Sequence, residues 1–306
     1  MSKKIVFMGT PEFAVQTLEV LAKSEYQLEC VYTQPPKKSS RGQKLNATPV
    51  QIAAERLHLK IKTPVSLNNE SDFEYFKFIK PYIVIVVAYG QIIPKKYLDL
   101  SKKGFINIHA SLLPKWRGAA PIQRSIMNLE KETGISFMKI EEGLDTGPFM
   151  SQIKIKINKE TNSLELSNKL AELGAKNILK CLDIISNNKE KFIKQDNSKA
   201  TYAKKIEKSE SKIIWNEKAD KVLAKINGLN PTPGAWFEHK KIRYKIFKAE
   251  ISNLSGEPGE VLNDSLSISC KDQSINILEI QKEGKKRLFI DEFLKGTNIN
   301  TGDVIN

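Results

Sequence analysis

At 306 residues, 40% of them hydrophobic, the chain is long enough to bury the cores of two ordinary domains, and its composition is not that of a disordered polymer. The opening Met1-Ser2-Lys3-Lys4 leads into an apolar run too short for a signal peptide, and nothing later approaches a membrane span, so a cytoplasmic location is expected. Three scattered cysteines (Cys30, Cys181, Cys270) and three scattered histidines (His58, His109, His239) lack paired or ligand spacing, which argues against a disulfide framework and a metal site.

The formal charge is +14, from 49 Lys and Arg against 35 Asp and Glu. A compositional bias towards Lys on solvated faces explains such a surplus, and so does a polyanionic partner whose phosphates are neutralised by cations. The distribution is uneven. Residues 201–306 hold 18 basic and 15 acidic side chains, whereas between positions 37 and 62 Lys37, Lys38, Arg41, Lys44, Arg56, Lys60 and Lys62 face a single acid, Glu55.

Taken in order, Ile5 to Met8 reads as a buried strand. Gly9-Thr10-Pro11 turns the chain, and Pro11 suits the first turn of a helix reaching about Lys23. Leu28 to Tyr32 predicts a second strand and Pro49 to Leu57 a second helix. Ile83 to Ala88 is apolar on both faces, as a central parallel strand covered by helices must be. Phe105 to His109 and Ile135 to Ile140 predict further strands, with a helix from about Ala119 between them; a long helix from about Asn162 to Ser186 follows. Strand alternating with helix implies an α/β fold: a doubly wound, mostly parallel, Rossmann-like sheet over residues 1–188. The polar stretch 189–210 reads as a linker. Residues 211–306 show one helix (about Lys218 to Ile226), then short apolar runs divided by Gly, Pro, Asn and Asp (235–237, 242–247, 259–262, 266–270, 275–278) and a closing helix at Phe289 to Leu294. That pattern suggests a small antiparallel, OB-like β-barrel.

In open parallel sheets, ligands bind beyond the carboxyl ends of the strands. Asn107 and His109 stand at one such end, two residues apart and hence on one face. The segment Leu112 to Gly118 follows, and Glu141 to Gly147 forms a Gly-flanked loop able to bring Asp145 over the same place. The three residue types suit acyl transfer to an amine. Attack on a formyl carbonyl builds negative charge on oxygen; the Asn107 amide and a protonated His109 can donate to it, each donor being worth roughly 3 kcal/mol in comparable sites. A nearby carboxylate favours the charged ring, and Asp145, directly or through water, can accept the proton that the amine loses, a role worth about 10²–10⁴ in rate. Each residue alone also has an ordinary structural use, as a bonded strand end, a turn residue or a helix cap. Their joint placement at the ends of predicted strands of one sheet favours chemistry.

These residues resemble the folate-dependent formyltransferase family. The matching stretches are Asn107-Ile108-His109-Ala110-Ser111-Leu112-Leu113-Pro114, Trp116-Arg117-Gly118-Ala119-Ala120-Pro121-Ile122 and Gly143-Leu144-Asp145-Thr146-Gly147. The resemblance implies Asn107, His109 and Asp145 as catalytic residues and Ser111, Leu112, Leu113 and Pro114 as a tetrahydrofolate-binding loop. Tyr89, Gln91 and Ile92, within Tyr89 to Pro94, fall on the segment lining the pterin pocket. Tyr89 can stack on a folate ring or pack in the core; for Trp116 core packing is preferred. It further implies 10-formyltetrahydrofolate as co-substrate, no metal, and a monomer acting on methionyl initiator tRNA. Phe7 to Ala14, Thr33 to Leu45, Tyr202 to Ile206 and Asn230 to Ala235 match the members that use this acceptor. The inserted basic loop, with Arg41, Lys37, Lys38 and Lys44, is expected to approach the acceptor stem and, given Ser39, Ser40 and Gly42, to order on binding it. Departures are small: Pro148 stands where an acid is common and Lys115 where Arg is common.

Competing readings remain. A purine-precursor enzyme would need nothing after about Ser186. A formyl-folate hydrolase would need a module ahead of the first strand, which here begins at about Lys4. A nucleotide-sugar enzyme would lack the Arg41 loop. A non-catalytic RNA-binding protein would have no use for Asn107, His109 and Asp145 together. Removing residues from about Ser211 onward is expected to impair tRNA use more than the catalytic pocket.

Overall fold

The computed structural model describes residues 3–39, 44–297 and 299–305, with residues 38, 39 and 44 described by their backbone alone. Two compact units form: one from residues 1–118, 134–155 and 167–202, the other from 119–133, 156–166 and 203–306.

The first unit is built on a seven-stranded sheet in the order Phe149–Lys156, Glu132–Lys139, Phe105–His109, Ile83–Val87, Lys4–Gly9, Gln27–Tyr32, Ile61–Lys62. The strands from Phe105–His109 through Ile61–Lys62 pair in parallel. Ile83–Val87 is buried at every position, which is why it is apolar on both faces. Helix Pro49–Arg56 starts where Thr48 caps it, its Oγ1 accepting from the Gln51 amide at 3.0 Å, with Pro49 in the first turn. Helix Glu70–Ile79, which the sequence pattern did not reveal, is capped by Asn69. It contributes Phe76 to an aromatic core with Tyr32, Tyr97 and Phe105.

The direction of Glu132–Lys139 departs from expectation: it runs antiparallel to Phe105–His109, with Ile106 opposite Lys139 and His109 opposite Ser136. The loop after Lys139 therefore leaves the sheet beside Phe105, whose carbonyl accepts from the Ile140 amide at 2.8 Å, and not at the strand end that carries His109. The described ends of the basic loop pair with each other. Lys37–Ser39 and Lys44–Asn46 pair as a small antiparallel hairpin.

In the second unit, Ala235–His239, Ile242–Ser252, Ser274–Lys282 and Ser267–Ser269 form an antiparallel sheet, and Arg287–Phe289 pairs along Ser274–Lys282. Phe289 thus ends a strand, and the closing helix is Ile290–Leu294. The sheet's inner face and helix Ala219–Leu229 share a core that includes Trp215, Val222, Ile226, Phe237, Tyr244, Ile268 and Ile280. Helix Pro121–Met127 packs against the same core through Met127. At Gly228 a Cβ would stand 2.6 Å from Met127 Cγ, a distance that only glycine avoids. Asn227 donates to the Lys159 carbonyl at 2.9 Å, and Arg124 grips Glu210 at 2.6 and 2.9 Å.

Among the described residues no helix is long and apolar enough to cross a membrane, and no group of three or more His, Cys, Asp or Glu could hold a metal ion. The cysteines are buried and free. Burial pushes the Cys30 thiol up to about 11 and the Cys181 and Cys270 thiols up to about 12. A thiol so held exposes almost no thiolate at neutral pH. Ellman's reagent at pH 7.5 should therefore leave the native chain unlabelled and count three thiols only after denaturation; rapid labelling of the native protein would contradict the burial.

Candidate active site

His109 is 5% exposed and both its ring nitrogens meet oxygen acceptors. Nε2 lies 2.9 Å from the Trp116 carbonyl, and Nδ1 lies 3.6 Å from Asp145 Oδ2. The Trp116 carbonyl is within hydrogen-bond reach of the ring, whereas the Asp145 carboxylate faces it at ion-pair distance, just beyond a direct hydrogen bond. The same Asp145 oxygen accepts the Gly118 amide at 2.8 Å. Asp145 itself sits at φ +50°, a left-handed turn conformation. Its loop folds back from the edge beside Phe105 to reach His109. At Gly147 it passes so close to the Lys139 carbonyl that any Cβ would collide with it.

Asn107 points from the same face as His109 and is half-buried. Among the described residues its side-chain amide makes no hydrogen bond, which leaves it able to donate.

The segment after His109 is pinned at several points. Ser111 Oγ donates to the Lys115 carbonyl at 2.5 Å. Buried Ser136 Oγ donates to the Ser111 carbonyl at 2.7 Å and accepts the Leu113 amide at 3.1 Å. Gln152 donates to the Leu113 carbonyl at 2.7 Å. The Leu113–Pro114 peptide is cis, and Leu112 and Pro114 are half-buried. The four residues Ser111 to Pro114 are thus fixed in one shape beside His109.

The other expected folate residues are placed differently. The Tyr89 ring is buried in the aromatic core with Phe76 and Tyr97, so it is not available to stack on a ligand. What Tyr89 presents is its carbonyl, which accepts from Thr10 Oγ1 at 2.7 Å and Gln34 Nε2 at 3.1 Å. Gln91 Nε2 donates to the Pro64 carbonyl at 2.9 Å, and Ile92 is 91% exposed. Trp116 is half-buried at φ +59°. An open cavity of about 490 Å³ lies at the Phe105 end of the strand that carries His109, lined by Leu98, Asp99, Phe105, Ile140 and Gly143 and reaching Thr146. None of the expected folate residues lines it.

Of the basic loop, Arg41 lies outside the described residues, as do the side chains of Lys38 and Lys44. Lys37 is exposed and donates to Gln34 Oε1 at 2.5 Å, and Gln34 in turn donates to the Gly90 carbonyl at 2.9 Å.

Sequence reasoning missed several groups at the site because they are backbone atoms: the Trp116 carbonyl and the Gly118 amide. It also missed buried Arg117, which donates to Gln195 Oε1 at 3.0 and 2.9 Å and to Asn197 Oδ1 at 2.7 Å. No local pattern marks such contacts.

The assembly of Asn107, His109 and Asp145 fits acyl transfer, and similarity to known proteins agrees. The methionyl-tRNA formyltransferase of Pelagibacter ubique is 57% identical over 307 residues, which cover 100% of this chain and 99% of the relative. That of Rhodopseudomonas palustris strain TIE-1 is 41% identical over 306 residues, 99% of each. In fold, the chain matches an N-formyltransferase from Helicobacter canadensis, solved in complex with folinic acid and dTDP-3-aminofucose, with a TM-score of 0.69 at 22% identity over 92% of this chain and 100% of that one. The formyl transferase C-terminal domain description fits residues 205–298. Since the formyl transferase description itself matches residues 3–182, the stretch that holds all three of these side chains, the chain belongs to the formyl transferase family.

Proposed function

We propose that this protein transfers the formyl group of 10-formyltetrahydrofolate to the α-amino group of methionyl initiator tRNA, in the cytoplasm and as a monomer. The observation that carries the chemistry is the His109 ring held between the Trp116 carbonyl and the Asp145 carboxylate, at 2.9 and 3.6 Å. The observation that carries the acceptor is full-length similarity to two enzymes named for it.

In the proposed reaction the amine nitrogen attacks the formyl carbon and the carbonyl electron pair moves to oxygen. Asn107 donates to that oxygen, and His109 does so by exchanging its Nε2 bond to the Trp116 carbonyl for one to the developing oxyanion. Each such donor lowers the barrier by stabilising charge that develops only in the transition state. Asp145 faces the ring at 3.6 Å and, directly or through water, accepts the proton that the attacking nitrogen sheds. Collapse of the intermediate breaks the bond to folate N10, which leaves with a proton. The Ser111 to Pro114 segment flanks the folate.

Residues 1–188 supply the reacting side chains, and residues 211–306 together with Arg41, Lys37, Lys38 and Lys44 meet the tRNA. In support, the Arg243 guanidinium lies 3.9 Å from the centre of the exposed-side Trp236 ring, and Lys245 is the register partner of Trp236. A planar cation stacked on an aromatic ring among further cations suits the bases and phosphates of RNA. Arg41→Ala and Arg243→Ala should each raise the KM for tRNA by about three- to tenfold, in line with the loss of one or two phosphate contacts, and flatten its salt dependence. Folate affinity should not change. Unaltered tRNA kinetics in either variant would remove that residue from the interface.

The deciding experiment follows radiolabelled formyl from 10-formyltetrahydrofolate into charged initiator tRNA, a purine-precursor amine and a dTDP-amino sugar. Transfer to the tRNA with little to the others is expected. Preferred transfer to either small acceptor would overturn the acceptor assignment, and no transfer to any would overturn the enzyme assignment.

A further inference from the structure

We infer that Gln195 is a positioning residue for the transfer reaction: its side-chain amide ties the Asp145 loop to the Trp116–Arg117 segment and so holds both oxygens that face His109. The inference rests on the proposed function of the site.

Gln195 lies in a stretch that reads, in sequence, as a solvated linker. In the fold this stretch is a strap laid along the site. Ile193 pairs with Phe149, exchanging backbone bonds of 3.1 and 2.9 Å. Gln195 Nε2 then donates to two backbone carbonyls, those of Asp145 and Gly147, both at 2.7 Å. The other end of the same amide, Oε1, accepts twice from Arg117, which is 2% exposed. Asn197 takes a further bond from that guanidinium. At the strap's end Thr201 accepts the Trp116 amide on its Oγ1 at 2.9 Å and the Arg117 amide on its carbonyl at 2.9 Å.

The consequences converge on His109. Asp145 supplies the carboxylate on one side of the ring and Trp116 the carbonyl on the other. Those two residues lie in separate loops, 29 positions apart in the chain. A single amide bridges the two loops with two donor and two acceptor contacts, and it does so by gripping the loop's carbonyls on either side of Thr146. The loop itself is held in a left-handed turn at Asp145, which a loop free at that point would readily leave. The buried Arg117 makes the bridge rigid, because a guanidinium removed from water demands that its hydrogen bonds stay made. Gln195 touches none of the reacting atoms; it acts by fixing where Asp145 and Trp116 stand.

Full-length Gln195→Met and Gln195→Glu chains test this. Methionine removes both ends of the bridge. Glutamate keeps an acceptor for Arg117 but loses the donors and sets a carboxylate against two carbonyls. Both variants should lose about 10- to 100-fold in kcat, the cost of misplacing a catalytic group by about an ångström. The KM for folate and for tRNA should each stay within about threefold. The pH dependence of kcat should also shift, since the carboxylate is no longer held at the ring; a purely structural role would leave that profile in place. Normal kcat with an unshifted profile in Gln195→Glu would overturn the inference. Should either variant unfold at the assay temperature, the wild-type protein still decides: the Gln195 side-chain amide protons should exchange slowly with solvent and give two well-separated NMR signals, and fast exchange would overturn the bridge. Wild-type protein that transfers no formyl group would instead overturn the functional reading beneath it, whatever the exchange data show.

Discussion

A His109→Ala chain is expected to lose about 10²- to 10⁴-fold in kcat while its affinity for folate changes little. The expectation follows from where the ring stands. Histidine contributes one oxyanion donor, worth roughly 3 kcal/mol, and it mediates whatever Asp145 does through its charge. Removing it leaves the Asp145 carboxylate with the Gly118 amide as its partner at 2.8 Å, and frees the Trp116 carbonyl. The Ser111 to Pro114 segment keeps its bonds to Ser136 and Gln152, so the surface proposed to meet the folate persists. Asp145→Asn is the companion test. An amide oxygen still accepts from Gly118, so the loop holds its shape, but the carboxylate that would accept the amine's proton is gone. A loss of about 100-fold in kcat is expected there too. Steady-state kinetics with both substrates, together with folate binding by fluorescence, separates these effects. Near-normal turnover of His109→Ala would remove the ring from the mechanism.

A chain cut at Ser211 is expected to fail as a folded protein and not simply as a tRNA reader. Judged by sequence order, the residues before Ser211 should survive such a cut with their pocket intact. The structure argues otherwise, because the second unit also takes up residues 119–133 and 156–166. Helix Pro121–Met127 buries Pro121, Ile122 and Ile126, and Met127 packs against the core that contains helix Ala219–Leu229. The cut also strips Lys159 and Ser163 of their bonds to Asn227 and Asn230. Exposing buried apolar side chains costs about 1.5–3 kcal/mol each. Two or three of them therefore take up a large part of the roughly 5–15 kcal/mol that holds a domain together. Size-exclusion chromatography and thermal unfolding of the shortened chain should show aggregation or a lost cooperative transition. A monomeric fragment with a sharp transition and normal folate binding would contradict this. It would also show that residues 1–210 fold without their partner.

What the sequence disclosed, and what it hid, has a common physical origin. Ile5 to Met8 and Ile83 to Val87 are legible because a strand buried on both faces has no polar positions. Their direction is not. Glu132–Lys139 has the same buried, apolar look as its neighbours yet runs antiparallel to Phe105–His109, because strand polarity is set by the connection and not by the strand's own residues. Phe149–Lys156 escaped notice as a strand: at the sheet edge it is half-exposed along its length and mixes Ser, Gln and Lys with its apolar residues. Helix Glu70–Ile79 was hidden by its charges and aromatics, although Asn69 ahead of two acids is a fair capping signal.

The site followed the same rule. Asn107, His109 and Asp145 were visible as polar residues after an apolar run or inside a Gly-flanked loop. The path to Asp145 is not visible in the same way, since its loop starts at the other end of the strand and must fold back. Tyr89 was ambiguous because a buried tyrosine and a ligand-stacking tyrosine have the same neighbours in sequence. Gln195 gave no signal at all. A strap that bonds through side-chain amides to distant carbonyls is as polar as a solvated linker, and only three-dimensional contact tells them apart.

The burial of all three thiols has a practical corollary for experiments. With Cys30, Cys181 and Cys270 out of reach, the native surface is chemically silent towards maleimides. A cysteine introduced at Lys37, which is exposed on the basic hairpin, would be the single addressable position. A fluorophore attached there would report in real time whether nucleic acid arrives at that hairpin, without first stripping the natural cysteines from the protein.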